Sequence, residues 1–103
     1  MNPAKLMKQM QKMQQDMQKA QDDLAKRQVE VSVGGGSVTV VANCAGDVIS
    51  IKIKKEAVDP DDVEMLEDLI LSGVKQAIEQ GRDTASKEMS KLTAGLPIPP
   101  GFM

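Results

Sequence analysis

Four groups of residues in this chain have the types and spacing to do chemistry. Gly34, Gly35 and Gly36 are consecutive, as in loops whose backbone amides cradle a phosphate. Such loops present the phosphate to the start of a helix, whereas Val38-Thr39-Val40 alternates like a strand, so a hairpin turn fits better. The carboxylates Asp59, Asp61, Asp62, Glu64, Glu67 and Asp68 could surround a cation, but the alternating ligands and central glycine of a calcium loop are missing. Capping and dipole complementarity at a helix start account for most of them. Cys44 is the only cysteine and the chain has no histidine to activate it, so it reads as a packed turn residue rather than a nucleophile. These three groups yield no catalytic set, no cofactor site and no metal site.

The fourth group is basic: Lys5, Lys8, Lys12, Arg82, Lys87 and Lys91. The net charge of -2 speaks against a polyanionic partner until its distribution is followed along the chain. Met1 to Gln15 carries three lysines and no acid, whereas Glu56 to Asp68 carries seven acids and no base. From Gly81 onward bases again exceed acids. Cations sorted in this way suit phosphate contacts; equally, they could be the solvated faces of two helices, and charge alone leaves both readings open. Phe102 is the only aromatic residue, which removes the base-stacking platforms of single-strand and RNA binders.

These cations must be positioned by the elements that carry them. From Asn2 to Arg27, Leu6, Met10, Met13, Met17, Ala20 and Leu24 recur at alternating spacings of four and three, the seam of a coiled-coil helix. A helix of that length spans about 40 Å and outreaches strands of about 20 to 25 Å. Its ridge therefore needs a cover. A second copy meeting it at Leu6, Met10, Met13, Met17 and Leu24 gives a homodimer; packing on the chain's own second helix is the alternative. Val29, Val31 and Val33, then Val38 and Val40, then Ile49, Ile51 and Ile53 alternate with polar residues, predicting three short antiparallel strands. Asp59 as cap and Pro60 as first residue predict a second long helix reaching Leu92. The expected fold is α+β, in the order α-β-β-β-α, with a three-stranded antiparallel sheet covered by long helices. Residues 1–93 form one domain, and 94–103 a Pro/Gly-rich tail. Both cation clusters then lie toward the free ends of helices. No apolar run is long enough to span a bilayer and no signal-peptide pattern opens the chain, so a cytoplasmic location and no membrane partner are expected.

Four blocks, in order, resemble the YbaB/EbfC family of small bacterial nucleoid-associated proteins. They are Lys5-Leu6-Met7-Lys8-Gln9-Met10-Gln11-Lys12-Met13; Gly36-Ser37-Val38-Thr39-Val40 with Gly46 and Val48 to Ile53; Glu64-Met65-Leu66-Glu67-Asp68-Leu69-Ile70 with Ala77; and Gly95-Leu96-Pro97 with Pro100-Gly101-Phe102. The resemblance implies a tweezer-like homodimer on the bacterial nucleoid that binds duplex DNA with little sequence preference, bending or compacting it and influencing transcription. Since no catalytic set survives among the residues, no enzyme activity, no cofactor and no small-molecule substrate are expected. Lys75 and Gly73 depart from the family's more usual Asn and Ala, and no role is transferred to either. The reading kept beside this one is an interaction module whose methionine ridge receives a partner protein, with DNA association only indirect.

Overall fold

The computed structural model describes residues 2–93; the expected tail, 94–103, lies outside them. The first helix, α1, spans Pro3–Lys26. Asn2 caps it, its side-chain oxygen accepting from the Ala4 amide at 3.1 Å, and Pro3 sits in the first turn, where its missing N–H costs nothing. Arg27 ends it in extended conformation, its amide donating to the carbonyls of Asp23 and Leu24.

Three strands follow: β1 Gln28–Val33, β2 Val38–Asn43 and β3 Val48–Ile53, forming an antiparallel sheet in the order β1-β2-β3. Gly34–Gly36 make a single tight turn between β1 and β2 with φ of 61°, 66° and 94°, a left-handed run open only to glycine at little strain. Side-chain alternation then decides which face is apolar, and Val38, Val40 and Ala42 of β2 are fully buried.

The second helix, α2, spans Val63–Thr93, about 46 Å at 1.5 Å per residue. Its start differs from the expected one. Asp59 caps a separate turn, accepting from the Asp61 amide at 2.9 Å, and its carbonyl accepts from the Asp62 amide. Asp62 caps the helix itself, accepting from the Met65 amide at 3.3 Å. Both aspartates offer the same capping chemistry, and local sequence does not choose between them.

Of the two helices, α2 supplies the cover of the sheet. It runs over β1 and β2, where Val31, Val38, Val40, Ala42 and Ala77 form the core, with Leu66, Leu69, Ile70 and Val74 packed around them. The approach is close at Gly81, where an added Cβ would stand 2.7 Å from the Asn43 carbonyl oxygen.

The other helix joins the body only at its C-terminal end. Leu24 is buried, and the Cys44 amide donates to the carbonyls of Leu24 and Arg27. Asn43, also buried, ties the junction together. Its Nδ2 donates to the Ala25 carbonyl at 3.1 Å and to Asp47 at 3.2 Å, and its Oδ1 accepts from the amides of Ala45 and Asp47. All four bonding positions of one amide are thus used: three hold the turn after β2, and the fourth ties that turn to the end of α1. The result is an elongated molecule of 71 × 26 × 16 Å.

Candidate nucleic-acid interface

Lys5, Lys8 and Lys12 lie on the first half of α1 and are all exposed. At 100° per residue they fall within about 60° of one another, and the ridge of Leu6, Met10, Met13 and Met17 is centred about 140° away. The lysines therefore lie off the ridge, with Lys12 also bordering the groove along it. Among the described residues no carboxylate comes within ion-pair distance of these three lysines. Leu92 of α2 lines a groove with Leu6, Met10, Met13 and Met17. The described part of α2 ends one residue later, so Lys5 stands about 18 Å beyond Met17 along α1.

The three cations of α2 are placed differently. Arg82 follows Gly81, the residue pressed against Asn43, so it sits at the end of the sheet rather than at a helix tip. Lys87 pairs with Asp83 at 3.1 Å, and Lys91 pairs with Glu88 at 3.5 Å. Glu88 also receives the Arg27 guanidinium at 3.1 Å, joining the two helices just beyond the sheet. The hydrogen bond from Arg27, and then the charge of Lys91, hold the Glu88 carboxyl below the usual glutamate range. Both lysines keep about three-quarters of their side-chain surface in water, and exposed pairs of this kind are weak enough to exchange for a phosphate. The structure thus gathers Lys91 and Arg27 around Glu88, pairs Lys87 with Asp83 beside them, and holds Lys5, Lys8 and Lys12 apart on the arm.

Arg27 is absent from the cations singled out in the sequence. It occupies the next position in the seven-residue pattern after Leu6, Met13 and Ala20, and a charge in an apolar seam is a signal that an oppositely charged partner faces it.

The apolar ridge is divided. Leu24 is 7% exposed within its own chain and has little surface left for a partner, and Met17 and Ala20 are half-buried. Leu6, Met10 and Met13 remain 43% to 55% exposed. Among the described residues there is no cluster of metal-ligating side chains, and no helix is long and apolar enough to cross a membrane.

Comparison with known proteins gives relatives along nearly the whole chain. A nucleoid-associated protein of Desulforamulus reducens is 57% identical over 98 residues, covering 95% of this chain and 93% of the relative. One from Pelotomaculum thermopropionicum is 53% identical over the same shares. The crystal structure of an uncharacterized protein from Helicobacter pylori superimposes with a TM-score of 0.67 at 18% identity, covering 91% of this chain and 95% of the other, and shows the same fold. The model of the YbaB/EbfC DNA-binding family matches residues 1–96, and the chain belongs to that family.

Proposed function

We propose that this protein is a homodimeric, nucleoid-associated DNA-binding protein that grips duplex DNA by its phosphates, with little sequence preference. The observation that carries the reading is the arm of α1, where Lys5, Lys8 and Lys12 share one exposed face with no acid paired to them among the described residues. Arg82, Lys87 and Lys91 supplement them once the pairs of Lys87 with Asp83 and of Lys91 with Glu88 exchange for phosphate. Lysine is a point charge on a flexible stem, suited to phosphate rather than to the paired hydrogen bonds that read base edges. Two arms from two protomers would engage the duplex at two places, the minimum needed to bend it or draw segments together and so to influence transcription of the bacterial chromosome. The homodimer reading is supported by the apolar surface that one chain leaves in water, Leu6, Met10 and Met13 of the ridge included.

The test is Lys5→Ala, Lys8→Ala and Lys12→Ala in one variant, titrated against several unrelated duplexes. Affinity falls by a similar factor on all of them while the oligomeric mass is unchanged. A loss confined to one sequence would mean base readout. Unaltered binding would remove the arm from the interface.

A second reading has its own observation: Leu6, Met7, Met10 and Met13 are all exposed, and soft methionine surfaces adapt to protein partners. Purified protein that fails to bind plain duplex at low salt would favour it.

A further inference from the structure

We infer that the segment following α2, Ala94 to Met103, lies along the methionine ridge of α1 in its own chain, with Leu96 and Phe102 set into the groove there. The inference depends neither on duplex binding nor on the homodimer reading. It leaves that reading to the apolar surface outside the ridge, Ile49, Ile51 and Leu71 among it.

The placement of the helices brings the segment to the groove. Arg27, just past the end of α1, meets Glu88 of α2 at 3.1 Å, and one turn further along α2, Leu92 lines a cleft with Ala20 and Leu24. Advancing along α2 therefore means going back along α1, so the two helices are antiparallel beyond the sheet. The same Leu92 lines a second groove of about 470 Å³ with Leu6, Met10, Met13 and Met17, and it is the only contribution of α2 to that groove among the described residues. Since α2 is described to Thr93, the chain continues from beside Met17 in the direction of Leu6. The ridge extends about 16 Å between those two residues. Its outer members, Leu6, Met10 and Met13, are 43% to 55% exposed, so cover is lacking where the continuing chain is headed.

The segment matches the groove in polarity, shape and length. None of its ten side chains is polar, so seating it buries no charge. Pro97, Pro99 and Pro100 carry no N–H, which removes three donors that an apolar groove could not satisfy. A proline-rich segment favours the extended left-handed helix with three residues per turn and a rise of about 3.1 Å. In that form Leu96, Pro99 and Phe102 share one edge, and Leu96 to Phe102 covers about 19 Å, close to the length of the ridge. Such a segment is already stiff, so little freedom is lost on seating. Phe102 is the only aromatic ring in the chain, and methionine sulfur makes favourable contacts with ring edges. The segment is also tethered one residue past Leu92, giving a local concentration on the order of millimolar. A second copy or a protein partner seeking the ridge would have to displace it.

The test is nuclear magnetic resonance on the full chain with isotope-labelled methionine methyl groups. Phe102 supplies all the aromatic side-chain signals, so contacts from its ring are assigned without ambiguity. Overhauser contacts are expected from the ring to the methyl groups of Leu6, Met10 or Met13, and none to Met65 in the first turn of α2. Phe102→Ala removes the ring-induced shifts of those methyl groups and speeds amide exchange over Met7 to Met17 by at least about 10-fold, the factor that burial of one large side chain supports. Met10→Gln with Met13→Gln attacks the same contact from the other side, and the Phe102 signals then move to those of an unstructured peptide. Absent ring contacts, or methionine shifts and amide exchange that Phe102→Ala leaves unchanged, overturn the inference. Contacts seen only between differently labelled chains in a mixed sample also overturn it, because the segment in the groove then belongs to another copy.

Discussion

Replacing Gly81 by alanine isolates one contact on which the position of α2 depends. In an ordinary helix interior the change would stabilise by about 1 kcal/mol, because glycine loses more backbone freedom than alanine. Here the new methyl carbon would stand 2.7 Å from the Asn43 carbonyl oxygen and 3.5 Å from the Cys44 Cα. Neither obstacle is a flexible side-chain end. Asn43 is held by its amide bond to the Asp47 carbonyl and by four side-chain hydrogen bonds, so the carbonyl can yield only if the junction moves. Overpacking of this kind costs about 1 to 3 kcal/mol, which exceeds or matches the gain in helix preference and leaves a net loss of about 1 kcal/mol. For a domain of this size that lowers the melting temperature by about 4 to 8 °C, read by thermal circular dichroism at one fixed protein concentration. Gly73→Ala serves as the contrast. Its obstacle at 2.8 Å is the Val40 Cγ2 methyl, a side-chain atom rather than backbone, so its loss is the smaller of the two. An alanine at position 81 that raises the melting temperature, as in an ordinary helix interior, would refute the account of how the helix is seated.

Asn43→Ala removes all four side-chain bonds at the junction of α1 with the β2–β3 turn, and a loss of about 2 to 4 kcal/mol is expected in urea denaturation, since neutral bonds contribute about 1 kcal/mol each and some freed groups are reached by water. Glu88→Gln removes the acid that engages Arg27 and Lys91, so duplex affinity rises, measured by anisotropy at low salt. The same residue makes stability depend on pH. Its carboxyl titrates below the ordinary glutamate value of about 4.3, so its contribution is complete above that value and is lost as pH falls through the lowered one. Thermal melts of wild type and Glu88→Gln should therefore differ most at neutral pH and converge in acid.

The elements were legible because side-chain period and local preference agree. The spacing of Leu6, Met10, Met13 and Met17 gives the first helix, Asn2-Pro3 gives its start, and the alternation of Val29, Val31 and Val33 gives a strand. The start of α2 was less legible, since Asp59 and Asp62 offer the same cap three residues apart. What the pattern could not assign was the cover for each apolar face. Val40 and Ile51 look alike as members of alternating strands, yet one is fully buried and the other is not, because helix width and the close approach at Gly73 decide which strands lie beneath α2. The cations divide similarly. Lys12 and Lys91 are equivalent in composition, but only the folded chain shows that Lys91 faces Glu88 while Lys12 stands on the arm. Asn43 gave no sign beyond a turn, because the partners of its side chain come from α1 as well as from its own loop.

The most direct test of phosphate-based duplex binding is the salt dependence of affinity for a plain duplex, measured by anisotropy between low and physiological salt. Six arm lysines per dimer neutralising five or six phosphates predict that the logarithm of affinity falls against the logarithm of salt with a slope of about -5. A slope near zero would contradict the account.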